Sequence, residues 1–358
     1  MEEGRGVHVP FLLRLKVLPI LLLLALLSIP AQAAVPELKC KADGTFKILM
    51  ISDQHYTAEP DTYGIELTEK LIAIEKPDVV VAVGDCLTGK RISTTADVEK
   101  AIANVGAAME KMQVPWAITF GNHDQEHFPV TRLGKDQALK LYERYPHNIN
   151  AGWVRGIHGA GNKNILIWNA AASQPVFNLW LVDSGDETRS REDRYDWIHT
   201  DQVHWYYETS KQLENRYGGK IPGLMLFHIP LPEFHDMIES KKIIGERHEP
   251  EAPSTINGGL FAAVLDRGDV KGIFCGHDHM NNYVGLWRGV ALGFDGVVGH
   301  GSYPKIPPDH ASNNRARGGR VFLITESNPG HFKTWMRFKD GSTNWESQAG
   351  MPLHEQLK

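Results

Sequence analysis

The chain reads as an α/β protein, and three features of the sequence say so. From Phe46 onward, short β-rich runs alternate with helical patterns, which implies βαβ units and a buried, largely parallel sheet at the start. After about Asn164 the strand-like runs draw together and the rhythm changes. A length of 358 residues with 42% hydrophobic and 23% charged composition is that of an ordinary globular protein with a sizeable core. No internal repeat or low-complexity linker divides the chain, so one domain is favoured over two.

The strand runs of the first half are Phe46–Ile51, Val79–Val83 and Trp116–Phe120. Between the second and third, Thr95 can cap a helix whose Ala101, Val105, Ala108 and Met112 share one face. Further on, Ile165–Trp168 and Leu179–Val182 read as strands separated by a Ser173-Gln174-Pro175 turn. A helix runs from a Thr200 cap to about Tyr217, where Gly218-Gly219 stops it. Strands follow at Leu224–Phe227, Val270–Phe274, Val321–Ile324 and Lys333–Phe338. The charged stretch Glu239–Ser254, with Pro250 and Pro253, reads as an exposed loop, and residues 341–358 as a polar tail.

The first thirty-odd residues follow a different logic. Arg14 and Lys16 precede an apolar run from Val17 to Ile29, followed by Ala31-Gln32-Ala33-Ala34, the order of a secretory signal peptide over residues 1–33. Pro19 interrupts the run and Pro30 ends it short of the ~20 apolar residues a spanning helix needs, so no stable membrane insertion is expected. Cys40, Cys86 and Cys275 can form at most one bridge, so the fold rests on its core. A net charge of −5 without a long Lys/Arg run excludes electrostatic capture of nucleic acid or of an anionic membrane. No N-x-[ST] sequon is present, which neither requires nor forbids export.

Five short segments stand at the ends of predicted strands, where ligands bind in α/β sheets. They are Asp53-Gln54-His55, Gly84-Asp85, Gly121-Asn122-His123-Asp124, His228 within Phe227-His228-Ile229-Pro230, and Gly276-His277-Asp278-His279. Singly most are weak: Asp-x-His is common, Gly-Asp favours turns, and a lone histidine is more often a satisfied core residue than a ligand. Together, each at a strand end, they suit a paired metal site. Carboxylate, imidazole and amide oxygen fit iron, zinc or manganese, and the absence of a Cys₂ pair argues against structural zinc. Two ions roughly 3.5–4 Å apart need one bridging anion, for which Asp85 on its tight turn is the candidate.

The five segments resemble the five blocks of calcineurin-like metallophosphoesterases, D-x-H, G-D, G-N-H-D/E, H and G-H-x-H, and span Asp53 to His279. Outside them, His158–Asn162, Leu181–Asp186 and Phe227–Pro232 resemble the small, single-domain, purple-acid-phosphatase-like proteins of plants and fungi, whose plant members are named inactive purple acid phosphatases. The resemblance implies a four-layer αββα sandwich over residues 34–340, two mixed β-sheets flanked by helices, with a binuclear metal site at strand ends. It implies that Asp53, His55, Asp85 and His279 hold one ion and Asp85, Asn122, His228 and His277 the other, iron paired with zinc or manganese. His123 would stabilise the transition state or protonate the leaving oxygen, with Asp124 orienting its ring. The activity implied is hydrolysis of a small phosphate monoester by a hydroxide held between the ions. True purple acid phosphatases carry a Tyr three residues after the bridging Asp and lack the first-block histidine; here those positions are Thr88 and His55. The expectation is therefore a colourless enzyme in which imidazole replaces tyrosinate.

Two alternatives stay open at this level. A pseudoenzyme would bind phosphate without hydrolysis, although every ligand position is filled. A phosphodiesterase, acting on nucleotides among others, would share the metal blocks and differ in loops such as Glu239–Ser254, Gln125–Thr131 and Arg315–Arg320. Cys86 and Cys275 flank the blocks and read as small buried core residues first, a redox-sensitive pair second. His158, His204, His235 and His310 receive no role.

Overall fold

A computed structural model describes Met1 and residues 37–188, 192–240, 243–300 and 317–344. The signal segment after Met1, His310, Arg315 and the tail from 345 lie outside them. The chain divides into Met1–Ala34 and Val35–Lys358, and every element belongs to the second unit. In order these are β1 (Thr45–Ile51), α1 (Thr62–Glu75), β2 (Val79–Val83), α2 (Thr95–Lys111), β3 (Trp116–Thr119), α3 (Phe128–Thr131) and α4 (Lys135–Tyr142). There follow β4 (Lys163–Trp168), β5 (Pro175–Leu181), α5 (Thr200–Tyr217), β6 (Gly223–Leu226), α6 (Glu233–Glu239), β7 (Ile243–Ile244) and α7 (Leu260–Arg267). The last are β8 (Val270–Cys275), β9 (Val284–Trp287), β10 (Val290–Phe294), β11 (Gly318–Thr325) and β12 (Lys333–Phe338).

Two mixed sheets result, β12-β11-β1-β2-β3 and β4-β5-β6-β8-β10-β9-β7. Strands β1, β2 and β3 are parallel, and so are β5, β6, β8 and β10; the outer strands join antiparallel. Alternation along each strand sorts side chains to opposite faces. Ile48, Met50, Val79 and Val81 pack against Leu179, Leu224 and Phe274 of the other sheet. Their neighbours Leu49, Ile51, Val80 and Ala82 pack against Leu71 of α1 and Val98 and Ile102 of α2. On the far side Trp180, Met225 and Ile273 meet Tyr206 of α5, Phe234 of α6 and Val264 of α7. The expected αββα sandwich is therefore present, and its central strands are buried because both of their faces are covered.

The sequence reading needs correction at several elements. Helix α2 is capped by Thr94, whose side chain accepts from Asp97 N, and Met112 lies past its last turn at 38% exposure. The residue before α5 is His199, with Thr200 already helical; Gly218, left-handed as expected, ends it. Helix α1 was missed: Asp61 caps it, but its buried Leu67, Leu71 and Ile72 are too interrupted by polar residues to stand out. The β9–β10 hairpin was also missed, because its turn carries Arg288-Gly289, both at positive φ, in place of the usual Asn-Gly. Glu239–Ser254 is not simply an exposed loop. It contains β7, and its buried Glu251 accepts from Arg247 Nε at 2.7 Å and Tyr283 Oη at 2.6 Å. Residues 341–344 of the tail fold onto β12, where Asn344 Oδ1 accepts from Met336 N. In the basic run, Arg320 is fully buried and donates to Phe294 O and Asn282 O.

Candidate metal centre

The parallel strands of both sheets end at one place. From the first sheet, β1 delivers Asp53 and His55, β2 Asp85 and β3 Asn122; from the second, β6 delivers His228 and β8 His277 and His279. Four of these residues sit in the left-handed region: Asp53 (φ 54), His55 (φ 51), Asp85 (φ 47) and His277 (φ 76). Such backbone costs of order 1–3 kcal/mol per residue and concentrates where side chains must be aimed. Glycine lets the turns approach: a Cβ on Gly121 would lie 2.4 Å from both Asp85 N and Asp85 Oδ1.

Two groups of ligand atoms form here, Asp53–His55–Asp85–His279 and Asp85–His228–His277, and Asp85 belongs to both. His279 Nε2 lies 2.9 Å from Asp53 Oδ1, and His55 Nε2 lies 3.7 Å from both Asp53 Oδ1 and Asp85 Oδ2. In the second group His228 Nε2 is 3.1 Å from Asp85 Oδ2 and 3.3 Å from His277 Nδ1. His228 Nδ1 faces Val83 O at 2.9 Å, which turns Nε2 toward Asp85 as the nitrogen an ion would take in place of its proton.

The electrostatics are those of anions awaiting cations. Burial pushes Asp53 upward, but the imidazoles of His279 and His228 outweigh it and hold the carboxyl well below its usual range. Asp85 is likewise depressed, burial being overcome mainly by His228. Burial lowers His228, yet Asp85 and Asp53 carry it up to about 10; burial and cationic His228 hold His277 down at about 3. Asn122 Oδ1 is buried without a hydrogen-bond partner, a cost unless something electropositive sits against it. A shared carboxylate, four imidazoles, a second carboxylate and an orphaned amide oxygen fit two hard-to-borderline metal ions.

The calcineurin-like phosphoesterase family matches residues 46–281, about two thirds of the sequence and all of these candidate ligands. The chain belongs to the calcineurin-like phosphoesterases. Among curated relatives, "Probable inactive purple acid phosphatase 29" of Arabidopsis thaliana is 32% identical, over 88% of each chain. "Phosphatase DCR2" of Saccharomyces cerevisiae is 27% identical over 71% of this chain and 47% of its own length. A dimetal phosphatase from Danio rerio shares the fold, with TM-score 0.51 and 13% identity over 82% of this chain and 95% of that one. As a member of this family the protein is a hydrolase of phosphoric ester bonds.

Around this calcineurin-like centre the geometry departs from expectation at one residue. Asp124 does not orient His123. Its carboxylate turns inward and accepts from Gly121 N at 2.7 Å and Leu87 N at 2.8 Å, pinning the turns after β2 and β3 together. Burial, then the Asp85 charge, raise it to about 7. The group on His123 is Glu126, whose Oε1 lies 2.8 Å from His123 Nδ1 and 2.7 Å from Lys90 Nζ. Sequence reasoning missed Glu126 because it took the adjacent acid as the partner; the four-residue turn presents the third residue on instead. Thr88, where a tyrosine stands in purple enzymes, donates to His55 O at 2.9 Å. All three cysteines are free and buried, and burial pushes the Cys86 and Cys275 thiols well up, so they behave as core residues. A cleft of about 520 Å³ opens over the centre, with Lys90, Arg91 and Arg194 on its wall and Glu249 and Ala252 contributed by the 239–254 segment. Among the described residues no helix is long and apolar enough to cross a membrane.

Proposed function

We propose that this protein hydrolyses phosphate monoesters at a centre of two metal ions, iron paired with zinc or manganese, in the secretory pathway after removal of residues 1–33. The observation that carries the reading is the overlap of the two ligand groups at Asp85. Asp53, His55, Asp85 and His279 would hold one ion, and Asp85, Asn122, His228 and His277 the other. The bound ions supply Lewis acidity to the phosphoryl oxygens and acidify the attacking water. His123, its Nδ1 tied to Glu126 and its Nε2 3.9 Å from Asp85 Oδ2, holds the proton that the leaving alcohol needs. Burial opposes that proton, but Glu126 outweighs it and raises the imidazole above its ordinary value. Lys90, Arg91 and Arg194 line the approach and attract a dianionic ester. Imidazole from His55, with Thr88 in the tyrosine position, supports a colourless enzyme.

The test is expression from Ala34, elemental analysis, and turnover of p-nitrophenyl phosphate beside its bis ester. The reading predicts two ions per chain, no visible charge-transfer band, and faster cleavage of the monoester. Faster cleavage of the bis ester would make the protein a phosphodiesterase, and two ions with no turnover of either would make it a phosphate-binding pseudoenzyme.

A further inference from the structure

We propose that Asp295 is a positioning residue for the paired centre: acting through the Ser52 hydroxyl, it fixes the Asp53 carboxylate so that Oδ1 is the oxygen presented to the ion. The inference rests on the reading of Asp53 as a ligand. Asp295 stands outside the five segments that carry the candidate ligands, at the end of β10, which runs parallel to β8 with Phe294 opposite Cys275. That register brings it to the same strand ends, where Ser52, the first residue past β1, lies between the two acids. Ser52 Oγ is 2.8 Å from Asp295 Oδ1 and 2.5 Å from Asp53 Oδ2, and all three residues are buried. Gly276 lets the row form: a Cβ there would lie 2.7 Å from Ser52 Oγ and 2.8 Å from Asp53 Oδ2.

One hydroxyl proton cannot serve two carboxylates, so the row closes only when one acid carries a proton of its own. Asp53 is surrounded by imidazoles that favour its anion. Asp295 is fully buried, and that burial, with the Asp53 charge, pushes its carboxyl well above its usual range. Asp295 therefore donates to Ser52 Oγ, and Ser52 donates to Asp53 Oδ2. Gly296 O, 3.3 Å from the same hydroxyl, is the more distant acceptor. His277 N also donates to Asp53 Oδ2, at 3.0 Å. Held twice through Oδ2, the carboxylate is fixed against rotation, and its Oδ1 faces Nε2 of His279, His55 and His228 at 2.9, 3.7 and 3.9 Å. An acid that holds a metal ligand from behind typically changes metal affinity by about 10–100-fold when it is removed.

The experiment loads wild type, Ser52→Ala, Asp295→Leu and Asp295→Asn with Zn²⁺, checks the metal content by elemental analysis, and titrates each with a competing chelator. In Ser52→Ala and Asp295→Leu one ion should bind about 10–100-fold more weakly than in the wild type while the other is unchanged, a selectivity that general loosening of the fold does not produce. Asp295→Asn, whose amide N–H can still donate to Ser52, should hold both ions as the wild type does. Ser52→Ala carries the test should Asp295→Leu fold poorly. Unchanged affinity in Ser52→Ala, equal weakening of both ions, or loss of an ion in Asp295→Asn overturns the proposal and leaves the paired centre standing. A wild type that binds no ion overturns both.

Discussion

Asp85 lies where the two groups of ligand atoms overlap, with one oxygen 3.1 Å from His228 and the other accepting from His123 N at 2.7 Å. Asp85→Asn keeps the size and that backbone hydrogen bond but removes the anion, so it should lose metal while its circular dichroism spectrum and melting profile stay cooperative. His123 and Glu126 separate differently. His123→Ala should retain both ions and lower monoester turnover by about 10²–10⁴-fold, the usual contribution of a positioned proton donor. Glu126→Gln should cost less, since the amide can still accept from His123, whereas Asp124→Asn should disturb the turns themselves and reduce metal content. Unchanged turnover in His123→Ala would remove it from the chemistry. The candidate ligands were legible in the sequence because each follows closely on a strand. Glu126 was not, because which acid faces an imidazole across a tight turn depends on the backbone path and not on adjacency.

At the scale of elements, the C-terminal end of α1 is tied to the first sheet by one acid. Buried Glu75 accepts from Trp335 Nε1 at 3.0 Å and Arg337 Nε at 2.6 Å on β12, and pairs with Lys47 of β1 at 3.2 Å. Burial raises its carboxyl, but the bonds to Trp335 and Arg337 outweigh that and leave it lowered. A depressed folded pKa contributes stability that is complete above the unfolded value of about 4.3 and fades as pH falls through the folded value. Glu75→Gln should therefore cost about 1–3 kcal/mol near neutral pH, and the gap between wild type and variant should narrow in acid, as urea melts at several pH values would show. A gap independent of pH would mean the charge is not what matters. The βαβ rhythm of β1, β2, α2 and β3 was readable, since all-apolar runs and a Thr cap leave few alternatives. Helix α1 and the β9–β10 hairpin were not, because their identity rests on tertiary burial and on an Arg-Gly turn that mimics no usual signal.

Across the whole molecule, the paired centre joins the two sheets that the apolar layer between them also joins. Phe274 stands in that layer, edge-on to Phe322 at 4.6 Å and beneath the Arg320 guanidinium at 5.5 Å. Phe274→Ala should destabilise by about 3–5 kcal/mol. Because the candidate ligands come from both sheets, bound metal should stabilise the sandwich itself: ions present at about 1,000 times their dissociation constant would add about 4 kcal/mol. Chelation should lower the melting temperature together with the activity. The most direct measurement is the metal content of purified wild type and Asp85→Asn by elemental analysis, with excess divalent metal removed by gel filtration. Two ions per chain in the wild type and fewer than one in the variant are expected. An undiminished pair in Asp85→Asn, or no metal in the wild type, would contradict a centre built on a shared Asp85.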